Sequence, residues 1–219
     1  MKKIAVILSG CGVYDGAEIH EAVLTLLALE RAGVQAICAA PNVDQREVVD
    51  HITGKPHPDE YRNVYEESAR IARGQIFKLS ELKLGEIDAI VFVGGFGVAK
   101  NLSSFASDGA EFDIDPMVRN LIEDAHEQGK PQGFMCIAPV LAAAVLGPQK
   151  VQLTVGNNPE VAAKLESRGA NLSSCAVDAV VIDSRNRIIS TPAYMDAKNL
   201  LQAEAGINNL VQALLKLSA

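Results

Sequence analysis

The 219-residue chain is long enough to bury a substantial core and fits one large domain over residues 1–219. It is 48% hydrophobic and 21% charged, an ordinary globular composition, and its net charge of -7 argues against nucleic acid and anionic membrane as main partners, because both need clustered positive charge. Cys11, Cys38, Cys136 and Cys175 have neither the density of a disulfide scaffold nor the CxxC spacing of a zinc site, so free thiols in a reducing cytoplasm are expected.

From the N-terminus, Met1-Lys2-Lys3-Ile4 and an apolar run before Leu8-Ser9-Gly10-Cys11 have the look of a lipoprotein leader. The run Ile4–Leu8 is shorter than the roughly 7–15 residues of a secretory h-region and reads better as a buried first strand. Ala17–Ala32 has helical periodicity, with Ile19, Ala22, Val23, Leu26 and Leu27 on one face, Asp15 as cap, Glu18 at the capping-box position and Gly33 closing it. Val34–Ala40 is a second strand. The polar stretch 41–60 carries at most a short strand at Val48–Ile52, and Tyr61–Arg73 reads as a helix.

Ala89–Val93 is a third core strand, stopped by Gly94-Gly95-Phe96-Gly97. Pro116–Gln128 is a helix with proline in its first turn and Gly129 after it. Gln132–Met135 is a strand and Ile137–Leu146 a buried helix; Ile137–Gly147, the longest apolar stretch, is too short to span a membrane and contains Pro139. Val180–Ile182 and Arg187–Ile189 flank Asp183-Ser184-Arg185-Asn186 as a hairpin, and Met195–Leu217 is a closing helix. Alternating strands and helices imply an α/β fold with a mostly parallel sheet covered on both faces.

Ligand sites in such sheets lie beyond the carboxyl ends of the strands, which directs attention to the residues after Leu8, Val93 and Met135. Cys136 stands between a buried strand and a buried helix, as on a nucleophile elbow, and a helix N-terminus would lower its thiol pKa. The bland alternative is a buried structural cysteine. Gly94-Gly95-Phe96-Gly97 lets backbone N–H groups approach an oxyanion, or is a plain tight turn. Glu18 and Glu21, three apart on the first helix, share a face. Glu18 has a capping role as its alternative, whereas Glu21 borders the apolar stripe and needs a partner or a proton. His20 adjoins Glu21 but points about 100° away. His51, His57 and His126 are scattered and suggest no metal set, and Gly10-Cys11-Gly12 lacks the third glycine of a dinucleotide loop.

These segments, in this order, resemble the PfpI-type branch of the class I glutamine-amidotransferase-like superfamily, and its glyoxalase members in particular. The resemblance covers essentially the whole chain. It rests on Ile7-Leu8-Ser9-Gly10-Cys11-Gly12-Val13-Tyr14-Asp15-Gly16, Gly94-Gly95-Phe96-Gly97 with Lys100-Asn101-Leu102, Gly133-Phe134-Met135-Cys136-Ile137-Ala138-Pro139, and Thr191-Pro192-Ala193-Tyr194-Met195. It implies a flavodoxin-like three-layer α/β/α sandwich, commonly dimeric. It further implies Cys136 as nucleophile, Glu21 as the acid hydrogen-bonded to it, and the N–H groups of Gly95 and Ile137 as oxyanion donors. Glu18, Cys11, Gly94 and Asn101 are candidate pocket residues.

Two departures bear on activity. Many relatives have a histidine directly after the nucleophile, where this chain has Ile137. Glutaminase domains carry His-x-Glu in the region of Thr191-Pro192-Ala193. Protease and glutaminase chemistry are therefore not expected. The resemblance implies a cofactor-independent glyoxalase acting on small dicarbonyls, without metal or nucleotide, with an apparent deglycase activity arising from the same site. The competing readings are a redox or stress-responsive protein and a regulatory scaffold with little catalysis.

Overall fold

The computed structural model describes residues 1–218. Eleven strands form among them: β1 (Lys3–Ile7), β2 (Gln35–Ala40), β3 (Val49–Asp50), β4 (Lys55–Pro56), β5 (Ile76–Lys78), β6 (Ala89–Phe92), β7 (Gln132–Met135), β8 (Gln152–Leu153), β9 (Asn171–Leu172), β10 (Val181–Asp183) and β11 (Ile188–Thr191). The α-helices are α1 (Ile19–Arg31), α2 (Val64–Ile71), α3 (Phe96–Lys100), α4 (Phe105–Asp108), α5 (Pro116–Glu127), α6 (Pro139–Leu146), α7 (Pro159–Ser167) and α8 (Leu200–Leu217). The central sheet has seven strands in the order β10-β11-β7-β6-β1-β2-β5, with every pairing parallel except β10 with β11. Helices cover both faces, giving the flavodoxin-like sandwich.

The central strands read as unbroken apolar runs because both faces are buried. Along β1, Ile4 and Val6 point into one core with Ala22, Ala28 and Leu29 of α1 and Ala203, Ile207 and Leu210 of α8. Ala5 and Ile7 point into the other, with Ile122 and Ala125 of α5 and Val140 and Leu141 of α6. In that second core Phe92 and Phe134 from adjacent strands stack at 4.7 Å and 2°. The chain runs from β1 outward to β2 in one direction and from β6 to β7 in the other. The strand order thus reverses between β1 and β6, where α/β sheets open a crevice above their carboxyl ends.

Most expected elements form within two or three residues of the expected bounds; the closing helix, expected from Met195, begins only at Leu200 after a 3-10 turn at Ala193–Met195, and three further departures shape the site. The first helix begins at Ile19 and its cap is Glu18, whose Oε2 accepts the Glu21 N–H at 2.7 Å. Asp15, expected as that cap, is instead buried in the preceding loop, where it accepts the Val49 N–H at 2.8 Å. The buried face of α1 is also rotated from the expected apolar stripe. Glu21, Ala22, Thr25, Ala28 and Leu29 face inward, and Ile19, Val23 and Leu27 remain 41%, 50% and 36% exposed. Backbone donors that satisfy Glu21 inside outweigh the apolar side chains left outside. Third, α6 starts at Pro139 rather than Ile137, with residues 136–138 forming a turn. Strand β4, edge strand β5, the β8–β9 pair and helices α3, α4 and α7 were not anticipated; they are short or weakly periodic.

Candidate active site

Three loops at the carboxyl ends of β1, β6 and β7 build the site. Strand β7 delivers Cys136, whose backbone N–H donates to Thr191 O at 3.1 Å on the neighbouring strand. Its φ of +59° lies in the left-handed region that non-glycine residues rarely occupy, a strain of the kind concentrated at functional sites. A sharp strand-to-helix turn with the thiol at its apex is the geometry of a nucleophile elbow. The side chain is buried, with the residue 8% exposed, and the N–H groups of Gly95 and Ile137 face its sulfur.

The carboxyl of Glu21, completely buried, meets the thiol and is held by two backbone amides. Tyr194 N–H donates to Oε1 and Gly94 N–H to Oε2, each at 3.1 Å. Gly94 lies directly between the two reactive groups. A Cβ added there would sit 2.5 Å from Cys136 Cβ and 3.1 Å from its sulfur, and would press on Glu21 Oε2. Burial, with Glu18 adding to it, pushes the Glu21 pKa up to about 8 against the pull of its hydrogen bonds. The thiol also lies well above its ordinary value, because of burial and the Glu21 carboxyl, with the Gly95 and Ile137 amides opposing. The sequence-based expectation of a depressed thiol is therefore corrected: burial and the neighbouring Glu21 carboxyl outweigh the backbone amides, and α6 starts two residues later than expected. Burial thus raises both members of the pair above their ordinary values.

The other candidates separate into three groups. Glu18 lies at the site's edge as the helix cap, its Oε1 3.9 Å from His20 Nδ1. Asn101 donates to Ser9 O and Asp15 O at 2.9 and 2.8 Å and accepts the Arg46 N–H at 2.9 Å, bracing the loop after β1. Cys11, half-buried, has Glu67, Arg70, Asp15 and Arg62 as its charged neighbours and takes no part in the Cys136–Glu21 contact; burial raises its thiol. Among the described residues, no group of three or more His, Cys, Asp or Glu side chains is placed to hold a metal ion.

Tyr194 is the residue that sequence reasoning missed. Its amide binds Glu21, while its phenol lies 3.0 Å from His20 Nδ1. His20 and Glu21 do diverge, as neighbouring helix residues must, and Tyr194 reaches both by using its backbone for one and its ring for the other. Only the motif Thr191–Met195 could have drawn attention to it.

A parallel-sheet sandwich with a strained cysteine elbow, a glycine loop and a buried acid on the first helix defines the amidotransferase-like class of α/β proteins. No protein-family model matches the chain. Human glutamine amidotransferase-like class 1 domain-containing protein 3, mitochondrial, is 43% identical over 225 residues, spanning 99% of this chain and 83% of that protein. The rat ES1 protein homolog, mitochondrial, is 42% identical over 225 residues, with 99% and 84% covered. The chain belongs to this ES1 family of glutamine amidotransferase-like class 1 proteins. Among solved structures, an isoprenoid biosynthesis protein with amidotransferase-like domain from Ehrlichia chaffeensis superposes with a TM-score of 0.93 at 37% identity, over 99% of both chains. Drosophila melanogaster DJ-1beta superposes with a TM-score of 0.55 at 18% identity, over 99% of this chain and 95% of that one, a likeness of fold alone.

Proposed function

We propose that the protein is a cofactor-independent glyoxalase that converts glyoxal-type dicarbonyls to 2-hydroxy acids. The observation that carries this reading is the contact of Cys136 with Glu21 beneath the Gly95 and Ile137 amides. The Cys136 sulfur adds to one aldehyde carbon, and the oxyanion formed lies against the two amides as it takes up the thiol proton, giving a hemithioacetal. With sulfur tied up in a covalent bond, only the carboxyl of the pair still ionises. Glu21 carboxylate then removes the C–H proton from that carbon, the electron pair forms the enediolate, the hydroxyl proton on the sulfur-bearing carbon passes to the neighbouring oxygen, and Glu21 returns its proton to the adjacent carbon. The product is a thioester of the 2-hydroxy acid, and water cleaves it to free acid and thiol. Glu21, with a pKa of about 8, is near the working pH that acid and base duty both require.

The absence of histidine beside Cys136 supports this reading over glutamine hydrolysis, since no imidazole follows the nucleophile in the chain. The reading carries with it a homodimer, for which α1 offers its exposed Ile19, Val23 and Leu27. It also carries a reducing cytoplasm, with which four free cysteines are compatible. No helix among the described residues is long and apolar enough to cross a membrane. The test is product formation from glyoxal and methylglyoxal, followed by proton NMR in deuterated buffer, with Cys136→Ala as control. A 2-hydroxy acid absent from the wild type, or formed equally by Cys136→Ala, would sink the proposal.

A further inference from the structure

The contacts around Glu21 close a ring that the mechanism above does not use. Glu18 accepts the Glu21 backbone N–H, and its second oxygen lies 3.9 Å from His20 Nδ1. His20 Nδ1 lies 3.0 Å from the Tyr194 phenol, with the two rings 5.9 Å apart. The Tyr194 amide returns to Glu21 Oε1. Tyr194 belongs to a short 3-10 turn, Ala193–Met195, between β11 and α8. Ala193 is fully buried at a φ of +43°, a left-handed conformation that an alanine holds only when its surroundings impose it.

We propose that His20 and Tyr194 are positioning residues that clasp this turn to α1 and so keep the Tyr194 amide on the Glu21 carboxyl. The phenol is the donor in that clasp and His20 Nδ1 the acceptor. Burial and the nearby Glu18 and Glu21 carboxyl groups hold the phenol's pKa above its ordinary value, so it keeps its proton. An imidazole that accepts at Nδ1 carries its proton on Nε2. Without the clasp, the strain at Ala193 is free to relax and draw the amide away. Glu21 would keep only the Gly94 N–H, and its carboxylate, the form that removes a proton from carbon, would lose half of its backbone support.

The kinetic part rests on the glyoxalase reading; the spectroscopic part does not. Tyr194→Phe and His20→Leu break the clasp and leave every backbone amide in place. Each should lower kcat for glyoxal about tenfold with KM unchanged, the scale of one hydrogen bond to a buried charged group. The double variant should be no slower than either single one. His20→Asn places an amide oxygen where Nδ1 accepts, and should restore kcat to within about twofold. Nitrogen-15 NMR of labelled histidine should show His20 as the Nε2–H tautomer in the wild type and as a tautomer mixture in Tyr194→Phe. An unchanged His20 spectrum in Tyr194→Phe overturns the clasp, whatever the enzyme does. Turnover in His20→Asn as slow as in His20→Leu also overturns it. If the wild type turns over no glyoxal while the tautomer changes as described, the glyoxalase reading fails and the clasp stands.

Discussion

Replacing Glu21 with glutamine tests the buried acid through stability as well as turnover. In the unfolded chain this carboxyl ionises near 4.5, and in the folded protein near 8. A folded pKa above the unfolded one means that the stabilisation is present below about 4.5 and is lost as pH rises toward 8. At about 1.4 kcal/mol per pH unit, wild-type stability should fall by about 3 kcal/mol between low pH and pH 7 through this group alone. Glutamine does not titrate, so Glu21→Gln escapes that loss. It brings a loss of its own. The neutral carboxyl can accept from both the Tyr194 and the Gly94 amides, one on each oxygen, whereas a glutamine NH2 cannot accept and leaves one amide facing a donor. That mismatch costs about 1–3 kcal/mol at any pH. The two effects nearly cancel at pH 7, and the distinguishing quantity is the slope. Urea unfolding of both proteins at pH 5, 6, 7 and 8 should show the stability difference moving in favour of the variant by about 3.5 kcal/mol across the series. Glyoxal turnover should be lost while Cys136 remains open to iodoacetamide. Parallel stability curves would refute the neutral buried acid, and turnover near wild type would refute its catalytic role.

Four further outcomes follow from the geometry. Gly94→Ala should reduce both iodoacetamide labelling of Cys136 and glyoxal turnover at least tenfold, because the added methyl enters the Cys136–Glu21 contact; overpacking should also cost about 1–3 kcal/mol in urea unfolding. Labelling of Cys136, followed by peptide mass spectrometry, should be slow at pH 7 and rise only at alkaline pH, because burial and the Glu21 carboxyl hold its thiol well above the ordinary value, and the more exposed Cys11 and Cys175 should label ahead of it. Asn101→Ala should cost about 2–3 kcal/mol by calorimetry, since its side chain makes three hydrogen bonds across the loop after β1. Ammonia release from glutamine should stay at background; Cys136-dependent release would show that some group outside the Thr191-Pro192-Ala193 region supplies the missing imidazole.

Legibility in the sequence followed the physical cause of each feature. The central strands could be read because burial on both faces demands unbroken apolar runs such as Ile4–Leu8 and Ala89–Val93, and the order of elements then placed Cys136 and the glycine loop on one sheet edge. These depend on local pattern and connectivity. The rotation of α1 does not. Its apolar residues pointed one way, and two backbone amides from distant loops turned Glu21 inward instead. The thiol pKa was misjudged for a related reason: a helix N-terminus is local, but desolvation and the neighbouring acid exist only once three loops meet. Tyr194 shows the limit most clearly. It acts on Glu21 through a backbone N–H, a group that every residue except proline possesses, so its identity carried no signal. Sequence by itself determined the fold and the place of Cys136 at the end of a core strand, because both are written in periodicity and order. Tertiary structure decided which amides hold the Glu21 carboxyl and how deeply it is buried beside Cys136, because those follow from contacts between segments 73 and 173 residues apart.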